Sequence, residues 1–170
     1  MSSNVLVPID RSSQSIAGLV YTLVSFPDAA VTAIHVIDTE HDTHATVGSP
    51  ESSEERLERA GEQLLKRARE VASEYGRELE TVLETGIPHR TIIEYTAEHD
   101  IDHVVLGSHG ESPIVRPFLG HVSDAVVRRT PVSTTIVPET QSELLERELP
   151  GRILVPVDGS GDPISLTAEL

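Results

Sequence analysis

The sequence predicts an α/β fold, a parallel β-sheet with helices packed on both faces. Three observations lead there. Short apolar or β-branched runs alternate with longer segments of helical periodicity from Asn4 to Val137. The apolar runs are largely unbroken, as strands covered on both faces require. Strands that alternate with helices need crossover connections, which are right-handed and generate a parallel sheet.

Each element has a local reason. Asn4-Val-Leu-Val-Pro-Ile-Asp10 reads as the first strand. Pro8 belongs near its end, because proline cannot donate to a ladder. Ser12 and Ser13 are helix caps, and Ile16, Leu19, Val20 and Leu23 follow at helical spacing until Phe26-Pro27-Asp28. Ala30 to Ile37 is β-branched and forms the second strand. Residues 38–50 are polar and read as a loop. Ser52 and Glu55 have the capping-box spacing. Leu57, Gly61, Leu64, Ala68, Val71 and Tyr75 then mark the apolar stripe of a long helix that Gly76 stops. Glu55–Arg59 and Glu62–Lys66 are expected ion pairs on its wet face.

Glu78 to Glu84 alternates and predicts the third strand. Pro88 suits the first position of a third helix reaching about His99. His103 to Gly107 is the fourth strand, and Ser108 to Leu119 a loop. Gly120 opens a helix ending at Arg128-Arg129, where cations complement the helix dipole. Thr130-Pro131 breaks it, and Val132 to Val137 is the fifth strand.

Beyond Pro138 the pattern changes. Residues 139–151 are polar and charged, and read as a linker. Arg152-Ile-Leu-Val-Pro-Val-Asp158-Gly-Ser160 then repeats Asn4-Val-Leu-Val-Pro-Ile-Asp10-Arg-Ser12 at a constant offset of 148, and Ile16 recurs as Ile164. The expected organisation is one domain over 1–138, the linker, and over 152–170 the opening of a second, incomplete copy.

Composition narrows the function. The chain has 170 residues, no cysteine, and 13 Lys+Arg against 28 Asp+Glu, a net charge of −15. Disulfides, thiolate metal sites and thiol catalysis are excluded. A surface this acidic repels nucleic acid and anionic lipid. Three tyrosines and two phenylalanines are too few for a base-stacking platform. No apolar run approaches the ~18 residues of a membrane span. No secretory signal is visible near Met1, so the expectation is a cytoplasmic protein. Lys66 is the only lysine. Abundant carboxylates with so little lysine resemble the surface of a salt-adapted, haloarchaeal-like protein.

Ligands of open parallel sheets bind at the carboxyl ends of the strands, where strand order reverses. Asp10 ends the first strand. Gly107-Ser-His-Gly110, nine residues, and Gly120-His121-Val122-Ser123 lead from the fourth strand into a helix. Glycines allow close approach of a backbone to phosphate, and a helix N-terminus offers free N–H groups. Together these describe an anion cradle; the alternative is that the glycines only shape a turn and start a helix. No Gly-Lys-Ser/Thr and no G-x-G-x-x-G after the first strand exist, which excludes the P-loop and the common dinucleotide fingerprint. His41-x2-His44 with Asp38, Glu40 and Asp42 has metal-ligand residue types, but sits in a polar loop without a thiolate and is not taken as a metal site. His35, on a strand, is expected to be a satisfied, semi-buried residue. No catalytic set has interpretable spacing.

The Gly-x2-Gly-x9-Gly spacing, Val7-Pro8-x-Asp10 and the ending Thr130-Pro-Val-Ser-Thr-Thr-Ile-Val137 resemble the universal stress protein family over residues 4–138. The resemblance implies a doubly wound five-stranded sheet in order 3-2-1-4-5, similar to the adenine nucleotide alpha hydrolases. It implies ATP as ligand, with Mg²⁺ or Mn²⁺, in a stress-response regulatory module with at most slow hydrolysis. Asp10, preceded by Pro8, would face the ribose or a metal–phosphate cluster, and Val36 would contact adenine through its backbone. Leu106, Gly107, Gly110, Gly120, Val122 and Ser123 would surround the phosphates. His121 stands where ATP-binding members carry Ser or Thr, and would offer an imidazole donor. The resemblance also implies a homodimer through the edge of the fifth strand. The alternative within the family is a dimerising interaction protein that binds no nucleotide.

Overall fold

The computed structural model describes residues 3–38, 52–108 and 119–138. The linker and the repeated segment at 152–170 lie outside the described residues, as do the His41–His44 loop, Gly110 and most of the loop around it. Five strands and four helices alternate: β1 Asn4–Pro8, α1 Ser13–Ser25, β2 Ala30–Ile37, α2 Ser53–Glu74, β3 Glu80–Thr85, α3 Pro88–Glu98, β4 His103–Gly107, α4 His121–Arg129 and β5 Ser133–Val137. The strands form one sheet in the order β3-β2-β1-β4-β5, and every neighbouring pair is parallel.

Alternate residues of the central strand feed two core layers. Val5 and Val7 pack beneath α1 and α2 with Ile16, Leu19, Leu65, Ala68 and Val105. Leu6 packs on the opposite face with Ile34, Ile92, Val104, Leu106 and Val126, under α3 and α4. Burying a side chain of this size stabilises by roughly 1.5–3 kcal/mol, so a layer on each face holds the sheet rigid.

The helix starts follow the local sequence. Ser12 caps α1, its hydroxyl accepting from Ser15 N–H at 3.1 Å. Ser52 and Glu55 form the complete capping box on α2, with bonds of 3.2 and 2.9 Å. Pro88 occupies the first turn of α3. Two expectations need correction. Lys66 reaches forward to Glu70 at 3.9 Å, and does not pair back to Glu62. The third strand begins at Glu80, two residues later than the alternation suggested. Arg77 explains the delay: its guanidinium donates to Leu23 O at 3.1 Å, Phe26 O at 3.1 Å and Ala29 O at 2.7 Å. The chain after α2 is thereby fastened to the end of α1 and the start of β2 before it can enter the sheet.

Candidate functional site

The chain lays β2 and β3 on one side of β1 and β4 and β5 on the other, so strand order reverses between β1 and β4. Pro8 opens the sheet at that point. Backbone groups of successive strand residues point alternately to the two neighbours. Asn4 O accepts from Asp102 N–H, on the β4 side, and Ile9 N–H donates to Ile34 O, on the β2 side. Pro8 therefore faces β4 at the one position where it has no N–H to give. The β1–β4 register ends at Leu6 opposite Val104, where Pro8 has no N–H to continue it.

Asp10 follows immediately. Its Oδ1 accepts from Ser12 N–H at 2.9 Å and from the Ser12 hydroxyl. The buried Ser15 hydroxyl accepts from Asp10 N–H at 3.2 Å and lies 2.8 Å from Asp10 O and 3.0 Å from Ser12 O. The half-buried carboxylate is thus held at the N-terminus of α1, whose dipole favours it.

On the β4 side, Gly120 N–H donates to Ser108 O at 2.8 Å, which brings the start of α4 to the end of β4. Gly120 is the N-cap and uses no side chain to cap the helix, so the first N–H groups of α4 are not taken by a cap side chain. Ser123, buried, donates to Gly107 O at 2.8 Å. Ser108 N–H bonds toward β5, to Val137 O at 3.0 Å, so the peptide groups of Gly107 point to the β1 side, where the ladder has ended. Ser123 satisfies the carbonyl left there. Leu106 is buried in the α3/α4 layer, and Val122 packs against that layer.

Gly107 has a packing reason to lack a side chain. A Cβ there would lie 2.7 Å from Gln14 C, 2.8 Å from its carbonyl oxygen and 2.9 Å from its Cβ. The first turn of α1 rests directly on the end of β4. The motif glycine is required by this contact whatever ligand it also serves.

His121 is exposed, and its ring packs edge-on against His89 of α3 with centroids 5.6 Å apart. Burial, followed by the neighbouring His121, Arg129 and Arg90, lowers the His89 pKa from its ordinary value. Val36 is partly buried in β2, two residues past the last β1 partner, Ile34. His35 is satisfied as expected: Nδ1 lies 2.7 Å from Ile9 O, and since a carbonyl only accepts, Nδ1 carries the proton.

The structure thus brings Pro8, Asp10, Leu106, Gly107, Gly120, His121, Val122 and Ser123 around one end of the sheet, with Val36 beside them; Gly110 lies outside the described residues. Sequence reasoning missed His89. No periodicity links positions 89 and 121; only the packing of α3 beside α4 joins them. Among the described residues, no three His, Cys, Asp or Glu side chains gather to hold a metal, and no helix is long and apolar enough to cross a membrane.

Comparison with known proteins agrees with this geometry. The profile of the universal stress protein family matches residues 1–138. A universal stress protein of Methanocaldococcus jannaschii is 27% identical over 142 residues, covering 82% of this chain and 84% of its own. The solved universal stress protein UspA from Lactobacillus plantarum is 26% identical, with a TM-score of 0.62 over 79% of this chain and 97% of its own. A family protein from Arabidopsis thaliana, solved with AMP bound, shares the fold at 19% identity and a TM-score of 0.61, covering 83% of this chain and 94% of its own. The chain belongs to the universal stress protein family.

Proposed function

We propose that this chain is an adenine-nucleotide-binding regulatory module of the stress response, with ATP as its ligand. One observation carries the reading: the Gly120–Ser108 bond fastens the N-terminus of α4 to the end of β4, at the reversal of strand order beside β1, the strand that leads into Asp10. Free N–H groups and the positive end of a helix favour phosphate. The Arabidopsis relative solved with AMP supports an adenine nucleotide as the class of ligand.

Val36 would meet the base through its backbone, Asp10 and Pro8 would line the ribose side, and Gly107, Gly110, Gly120 and Val122 would approach the phosphates. A Mg²⁺ or Mn²⁺ ion would arrive on the phosphates, with Asp10 as a carboxylate to face it, since the described residues assemble no ligand set of their own. The ion would neutralise phosphate charge in a strongly acidic protein. Binding would act by favouring one conformation or partner over another. The partner of first choice is a second copy, joined through β5, which ends the sheet among the described residues.

A second reading has its own observation. His121 puts a ring against His89, at the position where the family resemblance implies Ser or Thr in ATP-binding members. A closed phosphate end would leave a dimerising interaction protein without nucleotide. Amide chemical shifts during titration with Mg-ATP decide between them. Movement at Asp10, Val36 and Gly120–Val122 supports the first reading. Movement elsewhere, or none in folded protein, overturns it.

A further inference from the structure

The backbone around β2 shows how the recognition surface for the base is made. Ile9 N–H donates to Ile34 O at 2.8 Å, so Ile34 faces β1. Ile37 O accepts from Gly86 N–H at 3.0 Å, so Ile37 faces β3. By alternation, both peptide groups of Val36 face β1. A continued parallel ladder would join Val36 N–H to Ile9 O. That carbonyl takes the Nδ1–H of His35 at 2.7 Å. Among the described residues the β1–β2 register ends at Pro8 opposite Ile34, one bond short of Val36, so the N–H and C=O of Val36 point past the last pair of β1.

We propose that His35 is a positioning residue: by occupying the Ile9 carbonyl it releases the Val36 N–H and C=O as a donor–acceptor pair for the edge of an adenine ring. The proposal rests on the nucleotide reading above. A peptide N–H beside its own C=O matches the ring nitrogen acceptor and amino donor of adenine, and opposes the reversed pattern of guanine. Helix α2 passes close over the same ring: a Cβ at Gly61 would lie 3.0 Å from His35 Cδ2 and 2.6 Å from Leu83 Cδ1.

The test uses the full chain and follows exchange of the Val36 amide together with affinities for Mg-ATP and Mg-GTP. In the wild type the Val36 amide exchanges rapidly in free protein and is protected by Mg-ATP. In His35→Phe the Ile9 carbonyl is released to Val36, and the amide becomes protected without nucleotide. ATP affinity falls roughly tenfold, the scale of one hydrogen bond, and the preference for ATP over GTP falls with it. His35→Gln keeps a side-chain N–H and restores both. A Val36 amide already protected in free wild-type protein overturns the proposal with no variant needed. So does unchanged exchange or an unchanged ATP-to-GTP ratio in folded His35→Phe. If the wild type binds no nucleotide, the functional reading fails, while exchange in the free proteins still decides the role of His35.

Discussion

Gly107→Ala and Gly18→Ala are the same chemical change on opposite sides of one contact, and the structure gives them opposite signs. Both glycines lie where α1 crosses β4. At Gly107 the added Cβ would sit 2.7 and 2.8 Å from backbone atoms of Gln14, which cannot rotate away. Relief needs the first turn of α1 to withdraw by about half an ångström or more, which loosens a densely packed layer. Overpacking of this kind costs about 1–3 kcal/mol. At Gly18 the nearest atom is Gly107 N at 3.5 Å, with the next at 3.7 and 3.8 Å, all ordinary contacts. There alanine removes the helix-interior penalty of glycine, worth about 1 kcal/mol. At about 2–4 °C per kcal/mol for chains of this length, Gly107→Ala lowers the melting temperature by about 4–8 °C at the middle of its range, and Gly18→Ala raises it by about 2–4 °C. Thermal unfolding in matched buffer reads both. A Gly107→Ala protein that melts with the wild type, or a Gly18→Ala protein that melts below it, refutes the packing argument.

Arg77→Ala deletes a guanidinium that satisfies three carbonyls at the junction of α1 and β2. Charge-assisted bonds of this type contribute about 1.5–3 kcal/mol, so denaturant midpoints should fall accordingly, and a variant within 0.5 kcal/mol of wild type, roughly the range of an ordinary surface change, contradicts the role. Ser123→Ala leaves the Gly107 carbonyl without its hydroxyl donor; the expected loss is about 1–2 kcal/mol in chemical unfolding, and no loss means another donor replaces it. Burial lowers the pKa of His103, whose Nε2 is 2.8 Å from the Thr135 hydroxyl. The unfolded chain then takes up the proton first. The His103 contribution is complete above the ordinary histidine value of 6.5 and declines as pH falls below it. Stability curves against pH should be flatter below that point in His103→Gln; identical slopes would show that His103 does not titrate in this way.

What the sequence made legible was local. The Ser52–Glu55 box, the Ser12 cap and the Pro88 helix start depend on residues three or four apart, and the structure reproduces them. Strand order came from a family resemblance, since five apolar runs alone do not rank themselves across a sheet. The Arg77 clamp bridges about 50 positions of chain and has no local signature, which is why the onset of β3 was misplaced. Gly107 could be read as special, but the reason, the approach of Gln14, belongs to tertiary packing. Pro8 was awkward as a strand residue and proves informative for that reason: its missing N–H falls where the β1–β4 pairing stops.

The central claim is that the crevice between β1 and β4 takes an adenine nucleotide on the N-terminus of α4. Calorimetric titration of Mg-ATP into the full chain, in multimolar KCl to screen its acidic surface, tests it most directly, with Gly120→Val as the control. Gly120 has an extended conformation, φ −65° and ψ 161°, that valine also adopts, so the control places a branched side chain at the start of α4 without demanding a new backbone conformation. The account predicts saturable binding in the wild type that the control abolishes. No binding by folded, nucleotide-free wild-type protein, or equal binding by the control, contradicts it.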